Sequence, residues 1–286
     1  MLVSSSAFRT KCYPLVHMAN SDSFNYTGME RWKGRVAIVT GASAGIGYEL
    51  SKRLVQLGVV VVGCARNIAA IESLSQELSA SGGKLVAMKC DVRKEEDILS
   101  MMSAIKSQFG GADICVNNAG LGYDAPLLSG TTEKWKMMLD VNVLGLCIMT
   151  REFIKQLRER NVDDGHVVHL NSTAGHTDTV WGAFSMYNIT KQAVTALTEG
   201  LRQELRGIKS NIKITAISPG EVKTEFQPRF QETANPNSKE VIDKTYAEFD
   251  FPPLQPEDIV STIIYALATP PHMQIHDLIV RSTQEP

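Results

Sequence analysis

Residues 36–47 read VAIVTGASAGIG, a short buried-type strand that runs straight into a turn holding Gly41, Gly45 and Gly47. The next stretch fits a helix, Ile46–Gln56, with apolar residues at helical spacing and a stop at Gly58. The same alternation repeats outward. Strands are predicted at Val59–Cys64, Leu85–Cys90, Ile114–Val116, His166–Leu170, Ile212–Ile217 and Ile275–Val280. Between them the periodicity predicts helices at Ile68–Ser79, Glu95–Phe109, Ser185–Leu205 and Glu257–Ala268, and one long helix or two joined ones over Glu133–Arg160. Strands apolar on both faces need cover on both faces, so the alternation implies a parallel sheet between two helix layers. With right-handed crossovers this is an open, doubly wound α/β sheet of seven strands, a single Rossmann-type domain over 29–286.

Glycines between the first strand and the first helix allow a tight turn and a close backbone approach to a phosphate. The helix start adds unpaired N–H groups and a partial positive charge. The spacing here is G-x-x-x-G-x-G rather than the commoner G-x-G-x-x-G. A ribose 2′-hydroxyl is usually met by an acid at the end of the second strand. Here that strand ends Cys64-Ala65-Arg66, with a base and no carboxylate. A guanidinium pairs well with a 2′-phosphate, so NADP(H) is expected over NAD(H).

Composition excludes several classes. Twenty-nine basic against 31 acidic residues give a net charge of −2, which argues against a nucleic-acid or anionic-membrane surface. No apolar run approaches the ~18 residues of a membrane span. The five cysteines form no C-x-x-C pair, and Cys64, Cys90 and Cys115 lie in apolar runs, as buried thiols of a reduced compartment do. The spacing of His166, His169 and His176 suits no metal motif; they read as strand and loop polar groups.

Tyr187 and Lys191 are four apart in a predicted helix and share a face. A phenol is a poor base at neutral pH, and a nearby ammonium favours its ionised form. Such a pair can exchange a proton with an alcohol or ketone. Ser172 ends the preceding strand, where its hydroxyl can hold a substrate oxygen, and Asn142 lies in the long middle helix.

These motifs together resemble the short-chain dehydrogenase/reductase family. TGASAGIG at 40–47, Asp91-Val92, NNAG at 117–120, Asn142, Ser172, YNITK at 187–191 and SPGEVKT at 218–224 occur in family order over nearly the whole domain. MERW at 29–32, VGCAR at 62–66, EEDILSM at 95–101, ERNVDDGH at 159–166 and ALTEGLRQELR at 196–206 carry a closer resemblance to one branch of it. The resemblance implies that Gly41, Ser43, Gly45, Ile46 and Gly47 cradle the cofactor phosphates. It implies that Arg66, with Asn67 beside it, meets the 2′-phosphate, that Asp91 and Val92 meet the adenine, and that Asn118, Ala119 and Gly120 line the ribose. Pro219, Gly220, Val222 and Thr224 would hold the nicotinamide carboxamide. Tyr187 would be the general acid/base, Lys191 would bind the nicotinamide ribose and lower the tyrosine pKa, Ser172 would orient the carbonyl, and Asn142 would anchor a water relaying protons to Lys191. No metal is implied. A homodimer or homotetramer is, through two long helices near 133–158 and 185–206.

The chain departs from the family pattern in two places. Fifteen positions separate Ser172 from Tyr187, about two more than in many members, which widens the loop 173–184; Thr173 is a rival for the serine role. Asn188 stands where serine is usual.

Residues 225–253 hold Phe226, Phe230, Tyr246, Phe249 and Phe251 among polar residues. A segment this long suits a cap over an apolar substrate, with Trp181 and Phe184 as the opposite wall. Residues 1–28 have no hydrophobic period and read as a disordered extension; the acid-free stretch 1–21 offers mitochondrial targeting as the alternative to a cytoplasmic location. The expected function is NADP(H)-dependent interconversion of a ketone and a secondary alcohol, with steroid-like 3- or 17-positions or other apolar carbonyls as substrates. Farnesol or retinol oxidation, or a non-catalytic NADP(H)-binding sensor, are the alternatives.

Overall fold

A computed structural model describes residues 27–177 and 182–286. The extension read over 1–28 lies outside these except for Thr27 and Gly28, which open a 3₁₀ segment, Thr27–Trp32. Seven strands form one sheet: β1 (Val36–Thr40), β2 (Val60–Ala65), β3 (Lys84–Lys89), β4 (Ile114–Asn117), β5 (His166–Leu170), β6 (Lys213–Pro219) and β7 (Asp277–Val280). Their order is β3-β2-β1-β4-β5-β6-β7, and the six pairings are parallel. The order reverses between β1 and β4, so the carboxyl ends of these two strands open the crevice in which open α/β sheets bind ligands.

Alternate residues of a strand feed opposite cores. In β1, Ala37 and Val39 enter one cluster, Val36 and Ile38 the other. The first cluster is covered by α1 (Gly45–Gln56), α2 (Ala69–Glu77) and a late helix, α9 (Pro256–Leu267). The second is covered by α3 (Glu95–Phe109), α5 (Leu146–Glu159) and the far end of α6 (Ser185–Gly207). Local signals fix the ends of these helices. The helix α3 begins with Glu95, Glu96 and Asp97 and stops at Gly110, whose φ of 77° is left-handed. Pro256 opens α9, and Asp258 accepts the Gln255 N–H at 2.8 Å.

The 3₁₀ segment is anchored by Trp32, fully buried, whose indole N–H donates to Leu267 O at 2.8 Å. The long middle helix is in fact two, α4 (Thr132–Leu139) and α5, joined by a π turn over Asp140–Gly145. The turn holds the buried Asn142, and Gly145 is where a side chain would collide with Val92 O. The segment 225–253 is not a bare loop. It contains α7 (Phe226–Phe230) and α8 (Lys239–Ala247). Among the described residues no helix is long and apolar enough to cross a membrane, and the four cysteines are free thiols.

Candidate active site

The glycine turn is built by β1 and β4 together. Gly41 and Gly45 have φ of 67° and 53°, conformations that favour glycine. Thr40 Oγ1 accepts N–H bonds from Asn118 (3.0 Å) and Ala119 (2.9 Å), and the Asn118 amide donates to Thr40 O (2.8 Å) and Gly41 O (3.2 Å). A Cβ on Gly47 would fall 2.5 Å from Gly41 O. The start of α1 carries no side-chain cap and no acid in its first turn. Its N–H groups therefore remain for an anion, and the residues present fit a dinucleotide's phosphates. Thr224 also reaches the turn, its Cγ2 3.2 Å from where a Gly45 side chain would begin.

Arg66 and Asn67 are exposed at the tip of β2; Asn67 Oδ1 accepts the Ala69 N–H (3.1 Å) at the start of α2. Asp91 is gripped by Arg93, whose Nε lies 2.9 and 3.0 Å from the two carboxylate oxygens, and the pairing holds Asp91 below its usual pKa. Arg93 is a base near this pocket that motif reading passes over.

The second half of the crevice gathers Ser172, Tyr187 and Lys191. Ser172 caps a 3₁₀ turn, Thr173–Gly175, accepting the Ala174 N–H at 3.1 Å, and its hydroxyl is near enough to the Tyr187 phenol to favour the ionised form. Thr173, the rival for this role, lies inside the turn, and Ser172 rather than Thr173 acts on the phenol's pKa. Lys191 is buried, donates to Leu170 O at 2.8 Å and stands 5.7 Å from the Tyr187 ring centre. Burial pulls its pKa down to about 8. Burial also pushes the Tyr187 phenol above the ordinary tyrosine value, against the lowering by Ser172. The net shift is upward and set by desolvation, with Ser172 as the opposing group.

Asn142 makes no direct hydrogen bond to Lys191. Its carboxamide donates to Leu121 O (2.8 Å) and Thr190 Oγ1 (3.0 Å) and accepts the Leu121 N–H (2.9 Å). It fastens the segment after β4 to α6, with Gly120 lying between the Asn142 and Lys191 side chains. Asn188 is buried on α6.

The loop after β6 completes the crevice. Gly220 N–H donates to Val280 O (2.8 Å), and Glu221 N–H to Glu285 Oε2 (3.3 Å). A side chain on Gly220 would overlap the Glu285 carboxylate. Val222 O accepts the Tyr246 hydroxyl at 2.6 Å, and Phe226 N–H donates to Thr224 Oγ1 at 3.2 Å. Glu221, set beside Gln227, is pushed up by burial.

Aromatic rings close over Tyr187. Phe184 and Phe230 stack with centres 4.1 Å apart, and Phe226 lies 5.3 Å from the tyrosine ring. Gly122 makes room for this group, since a Cβ there would sit 3.0 Å from both Phe226 and Phe230. Trp181, expected in this wall, lies outside the described residues. Of the histidines, His166 and His169 are fully buried and held near pKa 3 by burial, hence neutral.

A family model for short chain dehydrogenases matches residues 35–235. The chain belongs to the short-chain dehydrogenase/reductase family. Dehydrogenase/reductase SDR family member 11 of Homo sapiens is 49% identical over 260 residues, covering 90% of this chain and 98% of that one. Farnesol dehydrogenase of Aedes aegypti is 41% identical over 261 residues, covering 90% and 99%. Among solved structures, a closed serine dehydrogenase complexed with NADP+ is 31% identical with a TM-score of 0.73, covering 86% of this chain and 94% of that one. An alcohol dehydrogenase from Thermococcus sibiricus complexed with 5-hydroxy-NADP is 25% identical with a TM-score of 0.74, covering 89% and 99%. As a short-chain dehydrogenase/reductase, the chain is an oxidoreductase acting on CH–OH groups with NAD(P) as acceptor.

Proposed function

We propose that this short-chain dehydrogenase/reductase interconverts an apolar ketone and its secondary alcohol using NADP(H), with steroid-like 3- or 17-oxygens as the substrate class. The observation that carries the reading is the Ser172–Tyr187–Lys191 group lying under the Phe184, Phe226 and Phe230 rings. A polar triad under an apolar roof selects a substrate with one oxygen to present and much carbon to bury. The nicotinamide, when bound, supplies or accepts the hydride. Ser172 donates a hydrogen bond to the substrate oxygen. Tyr187 delivers its proton to that oxygen in reduction, and its raised pKa keeps the proton in place until then. Lys191 holds the nicotinamide ribose with the N–H groups not spent on Leu170 O. Asn142 supports the site by fixing the Leu121 backbone, with any relay water as a second role.

The glycine turn holds the phosphates, Asp91 and Val92 the adenine, Asn118 to Gly120 the ribose side, and the 219–224 loop the carboxamide. Arg66 selects NADP(H). Arg66→Glu is expected to weaken NADPH binding roughly 10- to 100-fold, the worth of a charge-assisted contact, with little loss for NADH. Fluorescence titration of both cofactors checks this; parallel losses would remove Arg66 from the 2′-phosphate. The exposed Leu139 and Leu144, on the α4–α5 segment, favour self-association through the helices flanking the site, as a dimer or tetramer.

The aromatic cap has its own test. Phe226→Ala with Phe230→Ala is expected to lower kcat/KM on bulky apolar carbonyls roughly tenfold, by analogy with the burial energy of an aromatic side chain, and to spare small ones. Unchanged activity on the bulky set would sink it. The name of the Aedes aegypti relative supports a second reading, oxidation of an isoprenoid alcohol such as farnesol. One assay separates the two. NADPH or NADH consumption at 340 nm is followed with ketosteroids, α-dicarbonyls, farnesal and retinal. NADPH-selective turnover of the ketosteroids supports the first reading, and turnover of farnesal alone the second. NADPH binding with no turnover on any substrate returns the sensor alternative.

A further inference from the structure

We propose that His176 is a positioning residue that locks the loop presenting Ser172 to the loop that would hold the nicotinamide. The inference rests on the proposed roles of Ser172 and the 219–224 loop.

Ser172 and His176 bracket one short turn. Gly175 N–H donates to Ser172 O (2.9 Å), and His176 N–H to Thr173 O (2.9 Å). The imidazole Nε2 lies 2.9 Å from Ser218 Oγ and 3.1 Å from Asp277 Oδ2, and Ser218 Oγ donates to Asp277 Oδ1 at 2.8 Å. A carboxylate only accepts, so Nε2 carries a proton and the serine proton is spent on Asp277. Asn171 Nδ2 is 3.5 Å away and is itself a donor, so it makes no useful bond to that N–H. The arrangement is therefore not a nucleophilic triad, because the serine hydroxyl points at the acid rather than at the base. It is a three-way tie between the serine turn, the end of β6 and the start of β7.

The tie spans the two halves of the site. Ser218 immediately precedes Pro219 and Gly220, and it is fully buried. One ring thus sets the distance between the hydroxyl that holds the substrate oxygen and the backbone that holds the hydride carrier. Hydride transfer is steep in that distance. The serine turn does not depend on the ring for its existence, since Thr195 Oγ1 donates to Gly175 O at 3.0 Å and Ala174 is capped by Ser172. Removing the imidazole leaves the turn formed and lets it shift.

The test compares His176→Ala, His176→Gln, Asp277→Ala and the double variant His176→Ala/Asp277→Ala. Each is titrated with whichever nicotinamide dinucleotide the wild type binds, then followed by single-turnover absorbance at 340 nm and by thermal melting. His176→Ala is expected to slow hydride transfer about tenfold and weaken dinucleotide binding about threefold. Gln places an amide N–H near the same point and is expected to recover most of the rate. The double variant is expected to lose less than the sum of the two single losses, because the His176–Asp277 contact is already gone in either one. Additive losses, no recovery with Gln, or a fall in Tm with unchanged hydride transfer would overturn the proposal while leaving the roles of Ser172, Tyr187 and Lys191 intact. A wild type that binds neither dinucleotide would overturn both.

Discussion

Tyr187→Phe is expected to lower the rate of carbonyl reduction about 10³-fold, within the range that general acids contribute. Dinucleotide affinity should stay within about a factor of two, because only one hydroxyl is lost and burial of the ring is unchanged. The ring centres of Phe226 and Phe184 lie 5.3 and 6.5 Å from that of Tyr187, packing that a phenylalanine ring keeps. The hydroxyl is the group whose pKa Ser172 lowers. Stopped-flow absorbance at 340 nm, with a parallel binding titration, checks both halves. A variant that keeps a tenth of the wild-type rate would assign the proton transfer to another group.

Lys191→Met is expected to cost about 10²-fold in turnover, the worth of lost charge-assisted contacts, and to stabilise the free protein. A lysine shifted by burial from 10.5 to about 8 carries an ionisation penalty of about 3 kcal/mol in the fold. At pH 7 both folded and unfolded chains hold the proton, so the penalty is fully present. Between pH about 8 and 10.5 the folded chain has released the proton and the unfolded chain has not, so wild-type stability rises with pH across that window. Methionine removes the penalty. The variant should melt higher at pH 7, at about 2–4 °C per kcal/mol, and its advantage should shrink toward pH 10. Wild-type kcat/KM for reduction should fall above pH about 8 as Lys191 loses its proton. A variant less stable than wild type at pH 7 would mean that the Leu170 contact outweighs the burial of the charge.

The fold was legible because both cores are fed by short apolar runs whose period and length admit one arrangement. The stretch Val59–Cys64 can be little else than a central strand, and it is flanked on both sides by paired strands. The paired chemistry of Tyr187 and Lys191 was legible because helical spacing is a local property. What sequence could not supply was through-space competition. Burial pushes the Tyr187 phenol up and the Lys191 ammonium down, and depth of burial is a property of the folded chain rather than of spacing. Asn142 reads as a polar helix residue, but the π turn aims its amide at the Leu121 backbone. Thr40 reads as the last residue of a strand, although its hydroxyl collects two N–H groups from the neighbouring strand's end. His176 reads as a loop residue because its partners lie 42 and 101 positions further on. The helix α7 escaped because it is only five residues long with Pro228 at its centre, and α8 because its nine residues carry few apolar positions.

The two ends of the cap meet. Lys223 N–H donates to Leu254 O (2.8 Å) and Leu254 N–H to Glu221 O (2.9 Å), so the chain leaves the sheet and returns to it through one backbone clasp. A loop closed in this way adds entropy cost only slowly as it lengthens. The excursion between the clasps is therefore an interchangeable cassette. Its length and its aromatic content can drift, or be exchanged by grafting, while the turn that holds the serine and the helix that holds the tyrosine and the lysine stay in place. On the proposed cap reading, substrate choice can then change without altering the chemistry beneath it.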